Sequence, residues 1–337
     1  MSPLLLLFCT CLASLAATKT APEVFLPEHA ELHFERFIQK YNKQYVDEEE
    51  KQARLEIFKE NLERANVMNQ QSKHAVFGIT QFSDLTHDEF VIKFTCGSLP
   101  SNFTRGGCSI VTDDDIPNNN APESHDWRQL NAVTRVKDQR NCGSCYSFSS
   151  SGNVEGQYAI KHGQLIELSE QQSVDCDKDS LGCNGGVMTS NFRAMIQMGG
   201  LESETDYPYA GVEQTCAFTP GKAAVRVTDC TQYQLTSQEK LKQLLYKNGP
   251  ISIAVKASNF QIYNGGVMSD DDCSDGLVNH AVLLVGYGTD NGVQYWIVKN
   301  SWDTTFGEQG YIRIQRGENA LSCGMLDNQF MSSATIM

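Results

Sequence analysis

Hydrophobic positions recur at helical spacing through the first part of the chain. Within residues 31–69 a charged background carries apolar residues along one helix face, at Phe34, Phe37, Ile38, Tyr41, Leu55, Ile57, Phe58, Leu62, Ala65 and Met68. Such a stripe is typical of amphipathic helices that cover a core with one side. The pattern predicts two helices joined near residues 42–47.

The stretch that follows is polar before helical patterns return. DDDIPNNN at 113–120 predicts an exposed linker, a common place for proteolysis. Helical patterns follow at residues 145 to about 160 and at 187–198. Between them, Ser169 and Gln172 are spaced as the capping box of a shorter helix. The sequence beyond the linker therefore begins as a helical lobe.

After Gly249-Pro250 the pattern changes to that of β-strands. The apolar runs alternate or are continuous, and β-branched and aromatic residues dominate them: ISIAV, HAVLLVGYG, VQYWIVKNSW and GYIRIQRG. A helical lobe followed by a β lobe predicts an α+β fold of two packed lobes. We expect the functional site in the cleft between them.

Composition and charge narrow the classes of protein. With 40% hydrophobic and 20% charged residues in 337, the chain is too apolar for a disordered protein. The run LLLLFCTCLASL at 4–15 predicts a signal peptide cleaved near Ala16 or Ala17, with a buried N-terminal helix as the alternative. No other stretch is apolar enough to span a bilayer, so we expect a soluble protein with no membrane partner. The net charge of −14 argues against nucleic acid.

Cys142 and Cys145 form a CxxC pair within a chain of twelve cysteines. A zinc site would need two more ligands at suitable spacing, and a redox couple would sit in a small βαβ domain. Two structural cysteines are a further alternative. The functional interpretation bridges Cys142 elsewhere and leaves Cys145 as a free thiol in the first turn of a helix. There the helix N-terminus lowers the thiol pKa and favours a nucleophilic thiolate.

A candidate base and its orienting group lie far along the chain. His280 begins an apolar strand, and for an isolated histidine a structural core role is the simpler interpretation. Asn300 in VKNSW could accept a hydrogen bond from its ring, and Trp302 could shield that bond from water. Cysteine, histidine and an orienting amide form a set that can carry out acyl transfer.

Several motifs in a fixed order carry a family resemblance. From about residue 31 to the C-terminus, the chain resembles the papain family of cysteine peptidases, in particular its cathepsin L-like branch. The motifs are SHDWRQLNAVTRVKDQRNCGSCYSFS, DCDKDSLGCNGG, ETDYPYAG, NHAVLLVGYG, YWIVKNSW, GEQGYIRI and CGM. The resemblance implies a papain-like two-lobe fold behind a helical propeptide. It implies no cofactor and no metal.

The resemblance assigns roles to residues of this chain. It implies Cys145 as the nucleophile, His280 as its ion-pair partner and proton donor, Asn300 as the orienting residue, and Gln139 as an oxyanion donor. The substrate-binding residues would be Gly185, Gly186, Val187, Met188, Ala254, Val278, Ala281, Trp302 and Asn328. This mainly apolar set predicts a hydrophobic substrate residue two positions before the scissile bond. A simple turn remains an alternative for the two glycines.

The resemblance also implies the covalent bridges. They are Cys142–Cys183, Cys176–Cys216 and Cys273–Cys323. Cys230 would then be unpaired in the mature body, and Cys96 and Cys108 could bridge to each other before processing. Asn102 lies in a glycosylation sequon.

The implied organisation is that of a secreted zymogen. We expect a signal peptide at 1–17, an inhibitory propeptide at 18–120, and a mature peptidase at 121–337 with lobes at about 121–230 and 231–337. An independent helical domain is the alternative for the propeptide. Tyr146, Asp303 and Phe306 depart from the family pattern and affect expectations for the leaving-group side.

The implied function is endopeptidase activity in a lysosomal or extracellular location. Expected partners are protein and peptide substrates, the chain's own propeptide as inhibitor, and cystatin-like inhibitors, with the protein itself a monomer. Two alternatives are a catalytically silent homologue acting as a binding or storage protein and a secreted inhibitor built on the propeptide.

Overall fold

The structure, a computed structural model, describes residues 22–95, 107–118, 120–273, 276–326 and 330–337. The expected signal peptide, Cys96, Asn102 and Asn328 lie outside the described residues. Among the helices in the described ranges, none combines the length and the apolar character needed to cross a bilayer.

The N-terminal part is helical, as its periodicity predicts. Its elements are α1 (Ala30–Tyr41), α2 (Glu48–Gln71), the short strand β1 (Ala75–Phe77) and α3 (His87–Phe94). Asp47 caps α2 by accepting a hydrogen bond from the backbone N–H of Glu50 at 2.8 Å. The buried rings of Phe34, Phe37 and Phe58 contact one another where α1 and α2 cross. The two predicted helices are confirmed.

A long mixed sheet forms the β part of the molecule. The other strands are β2 (Ser109–Thr112), β3 (His125–Asp126), β4 (Val227–Gln234), β5 (Ile251–Val255), β6 (Tyr263–Met268), β7 (His280–Asp290), β8 (Val293–Lys299), β9 (Tyr311–Gln315) and β10 (Met331–Ile336). Their order is β1-β6-β9-β8-β7-β5-β10-β4-β2, with β3 paired to β7. The pairs β6–β9 and β2–β4 are parallel. The runs predicted as strands after Gly249-Pro250 all contain strands, which confirms the α+β class.

The remaining α-helices are α4 (Cys145–His162), α5 (Glu170–Cys176), α6 (Met188–Met198) and α7 (Gln238–Asn248). Helix α4 packs on the sheet through small polar residues as well as apolar ones. Ser149 donates to the carbonyl of Val282, and Asn153 donates to Pro250 and accepts from Ala334, all at 2.7–2.8 Å. These bonds fix the position of the helix, and therefore of its first residue, relative to β5 and β7.

The predicted linker at 113–120 is more ordered than its composition indicates. It follows strand β2, which pairs in parallel with β4, and Ile116 within it is only 6% exposed. A polar stretch can be ordered by the free edge of a neighbouring strand, which a local sequence pattern does not reveal. Asp114, Asp115, Pro117 and Asn118 are exposed, as expected for a linker, and Ile116 is the buried exception within the described part of this stretch.

Candidate active site

Cys145 is the first residue of α4 and is fully buried. Its sulfur is disulfide-bonded in this structure. The other cysteines of the described ranges pair with one another. The expectation of a free thiol is therefore wrong for this form of the chain. A disulfide sulfur cannot ionise, so this form is latent.

His280 begins β7 and is held from two sides. Its Nε2 lies 2.7 Å from Oδ1 of Asn300, which also accepts the backbone N–H of Ser301 at 2.8 Å. Because two hydrogen bonds converge on this atom, it is the amide oxygen, and Nε2 of His280 carries the proton. The indole of Trp302 stacks on the imidazole at 4.5 Å between ring centroids. This tautomer leaves Nδ1 able to accept a proton.

The ring of His280 is neutral in the latent form. Burial lowers the pKa of His280 to about 4, although its hydrogen bond to Asn300 acts in the opposite direction. Within the described residues, Nδ1 is buried without a hydrogen-bond partner. A thiolate at Cys145 would supply the negative charge that raises this pKa, and a disulfide does not.

Gln139 lies where the β part meets the start of α4. Its backbone N–H donates to Ser301, and its Oε1 accepts from the Ser301 hydroxyl at 2.7 Å. Its Nε2 donates to the carbonyl of Cys142 at 3.0 Å and to that of Phe94 at 3.3 Å. Ser301 therefore fixes the amide so that its donor side faces the site.

The end of α3 occupies the site. The carbonyl of Phe94 accepts from Gln139 and also from Nε1 of Trp302 at 3.1 Å. Phe82 and Phe90 meet the Trp302 ring edge-on, each at 5.3 Å between centroids. A backbone carbonyl of the N-terminal part thus takes the Gln139 donor that the family resemblance assigns to an oxyanion. Sequence reasoning missed Phe94 because a backbone carbonyl has no residue-type signature.

Two family profiles match separate parts of the chain, one within the helical N-terminal part and one in the remainder. The profile described as papain family cysteine protease matches residues 121–333. The profile of the cathepsin propeptide inhibitor domain (I29) matches residues 34–90. This chain belongs to the papain family of cysteine proteases.

Relatives and solved structures agree with the family. The viral cathepsins of Spodoptera litura multicapsid nucleopolyhedrovirus and Mamestra configurata nucleopolyhedrovirus are 44% and 45% identical, over 99% of this chain and 99% and 98% of their own. The digestive procathepsin L2 proteinase from Tenebrio molitor larval midgut has a TM-score of 0.83 at 34% identity, covering 91% of this chain and 99% of its own. The chain is thus a papain-family cysteine protease zymogen with a propeptide inhibitor domain, and the fold is papain-like.

The apolar residues assigned to substrate binding gather around the cysteine of this protease. Met188, Ala254, Val278 and Ala281 pack in the same buried cluster as Cys145. Ala281 directly follows His280 on β7, so His280 borders the cluster that contains Cys145. Val187 is buried at the start of α6, and Asn328, the expected floor, lies outside the described residues.

The glycines at 185 and 186 precede α6 in the papain-family fold. A Cβ on Gly186 would lie 2.8 Å from ring atoms of Tyr146 and 2.6 Å from the Ser180 hydroxyl oxygen. A side chain there would therefore clash with the body of the protease itself. The absence of a Cβ lets Gly186 pack against Tyr146, which stands directly after Cys145.

Phe306 and Asp303, which also depart from the family pattern, have structural explanations as well. Phe306 is fully buried and meets Trp302 edge-on at 4.9 Å, so it supports the indole from within the core. Asp303 has a φ of 61°, a left-handed conformation that glycine adopts freely and aspartate tolerates.

Four disulfides join described residues. Cys142–Cys183, Cys176–Cys216 and Cys273–Cys323 are present. Cys230 is bonded to Cys108, so the suggested Cys96–Cys108 bridge is wrong, and Cys230, which has no partner within the expected mature body, is paired with a cysteine of the proregion. Pairing was inferred from the family resemblance, which gave no partner for a cysteine in this part of the propeptide.

A buried ionic cluster lies beside the site residues. Lys137 contacts Glu155 of α4 at 2.8 Å and Glu170 of α5 at 2.7 Å. Lys299 of β8 donates to Thr134 at 2.9 Å, and Thr134 donates to Glu155. Burial opposes the charged form of Lys137, but the two carboxylates outweigh it and raise its pKa, whereas burial lowers that of Lys299 to about 8. The cluster joins the segment before α4 to the strand that leads to Asn300.

Sequence reasoning missed this cluster because its members are far apart in the chain. One local signal was present. Glu155 is a lone acidic residue within a helix of small and apolar residues, SFSSSGNVEG, where it has no solvent-exposed face. A buried charge of this kind needs a partner elsewhere in the fold.

Proposed function

We propose that the processed and reduced protease is an endopeptidase in which Cys145, His280, Asn300 and Gln139 carry the reaction. The observation that supports this best is the His280–Asn300 hydrogen bond of 2.7 Å beneath Trp302, at the edge of the buried cluster that contains Cys145. An isolated structural histidine would not need an amide that presents its oxygen and an indole that excludes water.

The geometry supports a mechanism through a thiolate. In the reduced enzyme the Cys145 thiol transfers its proton to Nδ1 of His280, and the N-terminal dipole of α4 favours the resulting anion. The thiolate attacks the scissile carbonyl carbon. The oxyanion accepts hydrogen bonds from Nε2 of Gln139 and the backbone N–H of Cys145.

The second half of the reaction returns the enzyme to its starting form. The C–N bond breaks as His280 donates its proton to the departing amine, which leaves a thioester on Cys145. Water then attacks the thioester while His280 accepts a proton, and the carboxylic product leaves as the thiol is restored. Asn300 keeps the ring oriented throughout because it holds Nε2–H and leaves Nδ1 to exchange the proton.

The apolar surroundings of Cys145 support a preference for one type of substrate side chain. Met188, Ala254, Val278 and Ala281 offer no charge to a side chain bound among them. We therefore expect protein and peptide substrates with a hydrophobic residue two positions before the scissile bond. Between Cys183 and Cys216 the sequence has no histidine and no long insertion of the kind that restricts some family members to dipeptide removal.

The location and binding partners extend the same proposal. A cathepsin-type zymogen belongs to the secretory pathway, and we propose a lysosomal or extracellular site of action. The free enzyme would be a monomer, open to cystatin-like inhibitors once the propeptide leaves the site. The boundaries at 17 and 120 and the glycosylation of Asn102 belong to this proposal as well.

The proposal is tested with a fluorogenic peptide that has Phe or Leu before Arg. Wild-type zymogen is processed at acidic pH, reduced and assayed with and without a thiol-alkylating inhibitor, beside Cys145→Ala. We expect hydrolysis by the wild type that alkylation abolishes, and none by the variant. Hydrolysis by folded Cys145→Ala would refute the assignment. No hydrolysis by processed, reduced wild type would favour a silent homologue that binds peptides.

A further inference from the structure

A disulfide joins the propeptide region to the body of the protease. Cys108 precedes the peptidase match at 121–333, and Cys230 lies inside it. Cys108 also follows the inhibitor-domain match, which ends at residue 90. The segment 107–118, here called the strap, therefore lies between the two recognised domains and belongs to neither match.

The strap is built into the sheet of the body. Its strand β2 pairs in parallel with β4 over four consecutive residues, from Ser109 opposite Thr231 to Thr112 opposite Gln234. The β4 edge would otherwise present unpaired N–H and C=O groups, because β10 covers only its other side. Parallel pairing with a neighbouring strand satisfies these groups.

Side chains and a covalent bond anchor both ends of the strap. At its start, Cys108 is bonded to Cys230, which is fully buried. At its end, Asp113 accepts from the hydroxyl of Thr236 at 2.6 Å, and Lys240 of α7 donates to the carbonyl of Ile116 at 2.6 Å. The side chain of Ile116 is 6% exposed.

The strap and the inhibitory helices are held by different contacts with the protease body. The chain that blocks the site does so through Phe94 at the end of α3, which bonds to Gln139 and Trp302. The contacts of the strap described above go to β4, α7 and the loop between them. Cys108 also contacts α6, where its sulfur lies 3.9 Å from the Thr189 carbonyl oxygen, and it packs at the edge of the cluster that contains Cys145. These anchoring contacts of the strap nevertheless leave Gln139 and Trp302, the donors taken by Phe94, to the inhibitory part.

We propose that the strap stays with the peptidase body after the inhibitory helices are removed, held on the β4 edge by the Cys108–Cys230 disulfide. Cleavage on the N-terminal side of Gly107 leaves the strap as an extension of the body. Cleavage near Ala121 leaves it as a separate peptide on the same disulfide. In either case the active enzyme has a sheet edge that is covered by part of its own proregion. This inference takes the processing step from the proposed function.

The test compares masses of the processed wild-type enzyme before and after reduction. Zymogen is processed with pepsin at acidic pH in the absence of reductant, because the unreduced zymogen has Cys145 in a disulfide and cannot process itself. Free thiols are alkylated in acid, where thiolates are scarce and disulfides do not exchange. Without a reductant, we expect the body to carry the mass of the strap, with Cys230 unalkylated. If the chain was cut near Ala121, a phosphine reductant releases the strap peptide.

Matched variants identify the bond responsible. In Cys108→Ser cut both before Gly107 and near Ala121, the strap peptide is expected to separate without reduction, and Cys230 becomes alkylated. Cys273 and Cys323 serve as the internal control, since both lie within 121–333 and their pairing does not depend on the strap.

Two results would overturn the inference. One is a processed body that lacks residues 107–118 before reduction and has an alkylated Cys230. The other is a peptide map of the intact zymogen in which Cys230 is unbound or joined to a cysteine other than Cys108. The map is made on unprocessed protein, so it tests the Cys108–Cys230 bond whether or not the enzyme proves active. Failure of the strap proposal and failure of the proposed function can therefore be told apart.

Discussion

The hydrogen bond between His280 and Asn300 leads to a quantitative prediction for Asn300→Ala. The substitution removes the acceptor of a buried N–H, which sits 2.7 Å from the amide oxygen and has Trp302 stacked over the ring. Leaving such a donor unpaired costs about 1–3 kcal/mol. At the usual conversion of free energy to rate, kcat/KM should fall about 5- to 150-fold.

The pH profile separates this role from a general structural one. The bond to Asn300 raises the pKa of His280, opposing the burial that lowers it. Its loss destabilises the imidazolium, so His280 loses its proton at a lower pH. The basic limb of kcat/KM against pH should therefore move to lower pH in Asn300→Ala.

The assay uses processed, reduced enzyme and the fluorogenic peptide over a range of pH, with thermal unfolding measured in parallel. Asn153→Ala is the matched control, because Asn153 is also buried and its amide bonds hold Pro250 and Ala334. That variant should unfold at a lower temperature with an unchanged pH profile. Folded Asn300→Ala with wild-type kcat/KM and an unmoved basic limb would refute the orienting role.

Three further predictions concern the oxyanion site, latency and activation. Gln139→Ala removes an oxyanion donor and should lower kcat about 10²- to 10³-fold; a folded variant with unchanged kcat would contradict that role. In zymogen that has not been reduced, iodoacetamide should leave Cys145 unlabelled because its sulfur is disulfide-bonded, and mass spectrometry of the labelled peptide checks this. Hydrogen bonds from Arg54 lower the pKa of Glu89 to about 2, so this pair stabilises the propeptide above the unfolded-state pKa and loses its effect as pH falls toward about 2. Self-cleavage should be faster at about pH 4.5 than at about pH 7.5, and Glu89→Gln should accelerate it at both pH values. Equal wild-type rates at the two pH values would reject control of activation by carboxylates. Acceleration by the variant at neutral pH alone would make Glu89 itself the acid trigger.

Sequence periodicity predicts the elements whose packing is decided locally. Helices α1 and α2 carry a regular apolar stripe, and β7 and β8 are long apolar runs, so their existence follows from pattern alone. Helix α4 is a less direct case. Its small polar residues bond to β5, β7 and β10, and these contacts depend on the tertiary fold.

The site was predictable where residue type carries the chemistry. Cys145, His280 and Asn300 stood out as candidates through their residue types and surroundings, whereas Gln139 was assigned through the family resemblance alone. The blocking carbonyl of Phe94, the Ser301 hydroxyl that orients Gln139, and the Lys137–Glu155–Glu170 cluster did not stand out. Each depends on groups brought together from distant parts of the chain. The same holds for Cys108 and Cys230, which are 122 residues apart.

We propose that His280 holds the reduced sulfur of Cys145 as a thiolate. This proposal is tested most directly by the rate at which iodoacetamide alkylates Cys145 in processed, reduced enzyme as a function of pH, followed by mass spectrometry of the Cys145 peptide. The account predicts rapid alkylation well below the ordinary thiol pKa of about 8.5, and a return to ordinary titration in His280→Ala. A wild-type rate that rises through a single titration near that ordinary value, and is unchanged in the variant, would contradict it.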